Sequence, residues 1–282
     1  MKDPTTEELE QSRKTIDDFY MRTRKINPLS SPERAGSQEV IYISTWFHII
    51  TGVDGQGIIS QNDTKEQLTV LNEAFSQTSF QFYLSGINCI SNTSWYDAEM
   101  NGLLENEMKS NLRQGNGATL NTFFKFFEGG NPLGYASLPW LGPGTDEDVV
   151  VLGTGTIPNG ELAPYNEGDT LVHEVGHWLG LLHTFQGGCS RQGDGVDDTP
   201  SERSPARGCP SFRNTCWFNI RTGLGGLGFD PVQNYMDYSY DSCMFEFTPG
   251  QNARMLANWE TYRAPFHENP TEIPEHPTFT CS

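Results

Sequence analysis

Apolar and polar positions divide the chain into a polar head, a regularly patterned middle and an irregular stretch rich in glycine and cysteine. Residues 1–37 are polar. A short helix is predicted over Glu7–Tyr20, followed by Pro28, Pro32 and Gly36, so this part reads as a flexible N-terminal arm or the remnant of a pro-segment. It holds no cysteine and so has no thiolate to offer a metal. From Glu39 the pattern changes. Val40–Ile50 is dense in β-branched and aromatic residues, the signature of a buried strand. Asp54-Gly55 marks a turn. Asp63-Thr64 is a cap for a helix running to about Gln77, with Leu68, Leu71 and Phe75 on one face. Phe80–Ile90 and Thr119–Phe127 read as strands, Asn131–Ser137 as a short edge strand and Asp148–Leu152 as a fifth strand. Glu167-Gly168-Asp169-Thr170 reads as the cap of a helix that stops near Gly180. Residues 184–233 replace periodicity with Gly, Pro, Asp and Cys, as expected of loops held by cross-links. A last helix is predicted from about Pro249 to Tyr262, and no segment repeats.

Composition narrows this picture. A chain of 282 residues has room for one large domain or two lobes around a cleft. Its net charge of −18 argues against nucleic acid and anionic membrane surfaces as partners. No stretch approaches the roughly 18 apolar residues that a membrane helix needs. The first residues show no basic-then-apolar leader, so a secretion signal is expected to lie outside this sequence. The six cysteines, four of them at 189, 209, 216 and 243, favour disulfides and an oxidising compartment; spacing alone leaves fifteen pairings open. Asn62-Asp63-Thr64 and Asn92-Thr93-Ser94 are glycosylation sequons.

The chemistry is concentrated in His173-Glu174-Val175-Gly176-His177-Trp178-Leu179-Gly180-Leu181-Leu182-His183. Positions i and i+4 share a helix face, so His173 and His177 can address one ion. Glu174 sits about 100° around the helix, beside the metal, where a general base would stand. Gly180 lets the chain leave the helix through positive φ and return His183 as a third ligand. Three imidazoles leave a fourth tetrahedral position open, the catalytic arrangement for zinc. The pattern would arise by chance in on the order of one chain in 10⁵. The other histidines, His48, His267 and His276, lack such spacing and are expected to pack or face solvent.

This motif resembles that of the metzincins, which place a methionine-containing turn beneath the metal. Asn234-Tyr235-Met236-Asp237-Tyr238 supplies Met236 for that turn, and Tyr238 resembles the tyrosine that stabilises the oxyanion. His173–Phe185, Gly193–Pro200 and Asn234–Tyr238, with Cys243 behind, resemble the pappalysin family; Asn131–Pro139 and Ala163–Thr170 are similar to its fungal extracellular metalloproteases. The resemblance implies an α+β, two-lobed catalytic domain over residues 38–282. The upper lobe (about 38–183) would hold a twisted five-stranded mixed sheet, a backing helix and the active-site helix. The lower lobe (about 184–282) would be irregular and disulfide-held, with a C-terminal helix. It also implies a secreted zinc endopeptidase acting on proteins or peptides, with Glu174 as base, Tyr238 assisting, and substrate antiparallel to the strand around Gly134–Pro139; the oligomeric state stays open, with a monomer favoured. From the family's pattern the expected disulfides are Cys189–Cys216, Cys209–Cys243 and Cys89–Cys281. Structural calcium is expected in the loop of Asp194, Asp197, Asp198 and Thr199, whose hard oxygens suit that ion. Asp241 and Glu246 are acidic groups near the methionine turn, where some pappalysins bind a basic substrate residue. Three rivals stay open: a catalytically silent zinc protein, a latent enzyme whose cleft is blocked by residues 1–37, and a zinc hydrolase of non-peptide amides or esters.

Overall fold

A computed structural model describes residues 5–26, 40–190, 193–216 and 228–281. Helix α1 spans Thr6–Ile26, longer at both ends than the polar pattern suggested. Strand β1 (Ile41–Thr51) leads to helix α2 (Gln61–Ala74) and strand β2 (Phe80–Ser91). The cap of α2 is Ser60 rather than Asp63. Its hydroxyl accepts from the backbone of Asp63, whose carboxylate reaches back to the Ser60 backbone in a capping box.

Two helices absent from the apolar pattern follow, α3 (Thr93–Tyr96) and α4 (Leu103–Leu112). Then come β3 (Leu120–Lys125), β4 (Gly134–Ala136), β5 (Val150–Gly153) and helix α5 (Asp169–Trp178). The last helix, α6 (Pro249–Asn258), gives way to a π-turn over Trp259–Arg263.

The sheet order is β2-β1-β3-β5-β4. The first four strands are parallel and β4 runs antiparallel to β5 at the edge. Alternation along the strands sorts side chains to two faces. Ile43, Phe47, Ile49, Phe124 and Leu152 join Leu71 and Phe75 of α2 and Leu171, Val172 and Val175 of α5 in the main core. Ile50, Phe123, Tyr135 and Val151 form a second cluster with Tyr96 of α3 and Met108 of α4.

The C-terminal half is tied back to this frame. Trp259 packs on Phe80 and Trp178. Phe279 lies against the main core, and Cys89 on β2 is bonded to Cys281. Cys189 pairs with Cys216 and Cys209 with Cys243, bracing the irregular loops. Helix α1 packs on α6.

Candidate metal centre

Helix α5 is buried along its whole length, so its direction is set by the core rather than by solvent. Its N-terminus has no side-chain cap of its own: Gly168 occupies the cap position at φ 102°. The carboxylate of Asp241, from beyond the methionine turn, accepts the Glu167 N–H at 2.9 Å and serves that end instead. Negative charge there also suits the helix dipole. Burial raises Asp169 to about 8 and Asp241 to about 6, the nearby carboxylates adding to the effect.

The helix ends in a glycine turn. Gly180 takes φ 95°, its N–H bonds the His177 carbonyl at 2.8 Å, and the Leu181 N–H bonds the Gly176 carbonyl at 2.9 Å. This Schellman pattern reverses the chain and brings His183 back over α5. A side chain at Gly180 would also collide with Asn258.

The three imidazoles converge. His177 Nε2 lies 3.1 Å from His173 Nε2 and 3.0 Å from His183 Nε2. Two of the rings are held from behind: His173 Nδ1 lies 2.7 Å from the Tyr235 carbonyl and His177 Nδ1 2.8 Å from the Leu181 carbonyl. A carbonyl can only accept, so both Nδ1 atoms carry the proton and both Nε2 atoms present lone pairs. Burial depresses all three histidines and keeps them neutral, His173 falling to about 4. Lone pairs facing each other at 3 Å repel unless a cation sits between them. Zn–N bonds of about 2.0–2.1 Å in a tetrahedron need nitrogens only slightly farther apart than this. Among the described residues this is the one His/Cys/Asp/Glu group whose ligand atoms all lie within 4.8 Å of one another. The donor set therefore fits zinc.

Glu174 follows His173 and is buried beside the triad, its Oε2 without a hydrogen-bond partner among the described residues. Burial raises its carboxyl to about 8; a dication at the triad would pull it down again. The edge strand β4 passes close by, because a Cβ on Gly134 would lie 3.1 Å from Glu174 Cγ. Met236 is fully buried under α5, where a side chain on Gly176 would collide with its sulfur. Asn234 shapes that turn by accepting the Met236 N–H at 3.0 Å. Tyr238 is 37% exposed, its ring 4.8 Å from that of His183 and 5.7 Å from that of His173.

Phe185 was not singled out in the sequence for a role of its own, yet its ring stacks on His183 at 4.6 Å. The carbonyls of Tyr235 and Leu181 were missed as well, since backbone oxygens leave no residue-type signal.

The acidic loop is arranged differently. The carboxylates of Asp194, Asp197 and Asp198 do not converge into such a group. Asp198 spends its oxygens on the start of α6, accepting from Thr248 Oγ1 at 2.6 Å and the Gly250 N–H at 2.8 Å. Asp194 is buried and accepts the Val196 N–H at 3.0 Å, Asp197 is exposed and Thr199 is buried. Glu246 accepts from Gln233 Nε2 at 3.0 Å. His48 is buried between Asn121 and Asn88. His267 packs edge-on against Trp259, and His276 is half-buried beside the Pro277 carbonyl.

Comparison with known proteins places this site in context. Residues 105–260 match the family model Peptidase_M43, pregnancy-associated plasma protein-A. The extracellular metalloprotease of Pyricularia oryzae is 42% identical over 234 residues, covering 82% of this chain and 79% of that protein. Mature mirolysin of Tannerella forsythia, solved in complex with a cleaved peptide, superposes with a TM-score of 0.63 at 29% identity. It covers 80% of this chain and 96% of that one. A mutant of promirolysin superposes with a TM-score of 0.64 at 28% identity and covers 91% of each chain.

Proposed function

The chain belongs to the peptidase M43 family, the pappalysins, and from that premise we propose how its own residues carry out peptide-bond hydrolysis. It is a zinc metalloendopeptidase with the α+β metzincin fold.

In the proposed site His173, His177 and His183 hold the zinc. The observation that carries this assignment is the convergence of three buried, neutral imidazoles with two of their outer nitrogens already bonded to carbonyls. Zinc bound there supplies Lewis acidity for the scissile carbonyl and for the attacking water. Glu174 takes the proton from that water and passes it to the leaving amine nitrogen. Its buried Oε2 has no hydrogen-bond partner among the described residues, which suits a group that must cycle between two protonation states. The Tyr238 hydroxyl donates to the developing oxyanion; its half-open position beside His183 leaves the ring room to approach substrate. Met236 keeps the floor of the site apolar and filled. Substrate lies antiparallel to β4, whose free edge runs past Glu174, so its backbone is held by strand pairing.

The substrates are extracellular proteins and the enzyme is secreted. The extracellular relatives support this, and so do three disulfides; no described helix is long and apolar enough to cross a membrane. Residues 1–37 are an N-terminal arm or pro-segment remnant and residues 38–282 the catalytic domain. The match to promirolysin, which covers 91% of this chain against 80% for the mature enzyme, is in keeping with a pro-segment. We further propose structural calcium in the loop of Asp194, Asp197, Asp198 and Thr199; the hard oxygen donors of that loop support it, although Asp198 also serves the start of α6.

The deciding experiment is Glu174→Ala. The variant should retain stoichiometric zinc and lose nearly all caseinolytic activity. Retention of more than a few per cent of the parent rate would remove Glu174 from the role of base.

A further inference from the structure

We propose that Arg254 is a positioning residue for the metal centre, and that through it helix α1 is coupled to the turn that delivers His183. The proposal rests on the reading of His183 as a zinc ligand.

His173 and His177 are placed by α5 itself, one helical turn apart. His183 is not: it reaches the site beyond the Schellman turn that ends the helix, past the last N–H groups bonded back to α5. The orientation of the third imidazole therefore depends on what holds the carbonyls of this turn. Leu181 O is taken by His177 Nδ1. Gly180 O is taken by Arg254 Nε at 2.8 Å. Arg254 comes from α6 and is only 2% exposed. Its guanidinium runs beneath the loop after the third histidine, since a Cβ on Gly195 would sit 2.6 Å from Nη1. At the far end of the same fork, Nη2 donates to Ser12 Oγ of α1 at 2.9 Å, and Ser12 is 1% exposed. Asn258, one turn along α6, packs against Gly180 and donates to the Arg254 carbonyl at 3.0 Å.

The guanidinium is planar and its donors have fixed relative directions. With Nε on Gly180 and Nη2 on Ser12, its plane is determined. Ser12, Arg254 and Gly180 form a continuous hydrogen-bonded line from the N-terminal helix to the ligand turn. Thr15 Oγ1, one turn along α1, lies 3.4 Å from the Tyr262 hydroxyl and helps seat the helix. Undocking α1 removes the Ser12 acceptor, one of the contacts that fix the guanidinium plane, and so loosens the support of the turn that aims His183. Zinc affinity thereby reports whether α1 is seated. Maturation that sheds α1 would leave an enzyme that holds its metal less tightly than its precursor.

The test measures zinc dissociation from the full chain carrying Glu174→Ala, which prevents self-cleavage. Release is followed by transfer to a chromogenic chelator, and affinity by competition with it. Arg254→Ala should weaken zinc binding by about 10–100-fold, the usual effect of losing a group that orients a ligand. Arg254→Lys should recover part of this, since the ammonium keeps the charge and donors but lacks the planar fork that aims Nε and Nη2 in fixed directions. Ser12→Ala should speed release several-fold while circular dichroism and metal-free melting stay close to the parent. His183→Ala is the control for the ligand reading: if it binds zinc as the parent does, that reading fails and this proposal with it. If His183→Ala loses zinc while Ser12→Ala and Arg254→Lys release it at the parent rate, the coupling alone is overturned. Should Arg254→Ala not fold, those two milder variants decide.

Discussion

Asp148 offers the sharpest test of how the active-site helix is anchored. It lies just before β5, is 2% exposed, and collects donors from four separate parts of the chain. Trp178 Nε1 reaches its Oδ1 at 2.9 Å and the Gly144 N–H its Oδ2 at 2.8 Å. Ser137 Oγ lies at 3.2 Å. Arg263 binds both oxygens, at 2.9 and 3.0 Å, while fully buried and stacked 3.5 Å over the Trp178 ring. Asp148→Ala leaves that guanidinium inside the protein with only the carbonyls of Gly117 and Trp178 for company. Breaking one half of a buried ion pair costs about 3–5 kcal/mol. The stranded Trp178 N–H adds about 1–3 kcal/mol because water cannot reach it, whereas the exposed Gly144 can turn its N–H to solvent. A loss near 5 kcal/mol is expected, a large share of the roughly 5–15 kcal/mol that holds a domain together. The midpoint should fall by about 10–20 °C at roughly 2–4 °C per kcal/mol. Urea unfolding followed by tryptophan fluorescence, in the Glu174→Ala background with disulfides intact, would measure it. The companion variant Asp148→Ala/Arg263→Met removes the stranded Arg263 charge and should recover part of the loss; recovery is incomplete because Arg113, 3.9 Å from Asp148 and 7% exposed, still loses that partner. A single variant costing under about 1 kcal/mol, or a double variant worse than the sum of its parts, would refute the reasoning.

Three further outcomes are expected. His48 is held neutral by burial, which lowers it to about 4, with Asn88 Nδ2 donating to Nδ1 and Nε2–H donating to Asn121. Its folded value lies below the unfolded 6.5, so the unfolded chain takes up the proton first. Its stabilising contribution is complete above pH 6.5 and is lost as pH falls towards 4, about 3 kcal/mol in all. The stability difference between the parent and His48→Gln, both metal-free, should shrink by that amount between pH 7 and pH 4; a constant difference would exclude His48 as its source. Added calcium should raise the melting temperature of the zinc-loaded protein, and an unchanged midpoint would remove calcium from the loop around Asp194. Limited proteolysis between residues 27 and 39 should raise activity on casein if residues 1–37 act as a pro-segment; an unaltered rate would leave the arm no inhibitory role.

What the sequence made legible was local. The β-branched run of β1 and the His-Glu-His spacing of α5 both work within one element, where a fixed period converts sequence into direction. Helix α4 escaped because its buried face is partly charged. Lys109 is fully buried between Glu105 and Glu147, at 3.4 and 3.0 Å, so the positions facing the core do not look apolar. The cap of α5 escaped because the acid that serves it, Asp241, is remote in sequence, while Asp169, which looked like part of the cap, lies inside the first turn. The contacts of Asp198 were hidden for a similar reason. Its spacing within the loop was visible, but its partners Thr248 and Gly250 at the start of α6 were not. In each case the missing information was a tertiary neighbour rather than a propensity.

That pattern explains why the centre can be rigid although only two of its three imidazoles sit on a helix. The start of α5 is held by Asp241, its last carbonyl by Arg263, the following turn by Arg254, and the His173 ring by the Tyr235 carbonyl. All four supports come from the C-terminal half of the chain, which Cys89–Cys281 and Trp259 tie back to the sheet. The ligand nitrogens are thus brought together by the fold, and their mutual lone-pair repulsion is a cost that the fold bears until a cation enters. Zinc relieves that repulsion only in the folded chain, so binding and folding stabilise one another, by about 2.7 kcal/mol when free zinc stands at a hundred times the dissociation constant. Any change that loosens one of the four supports should therefore appear twice, as weaker metal binding and as a smaller gain in stability when metal is added.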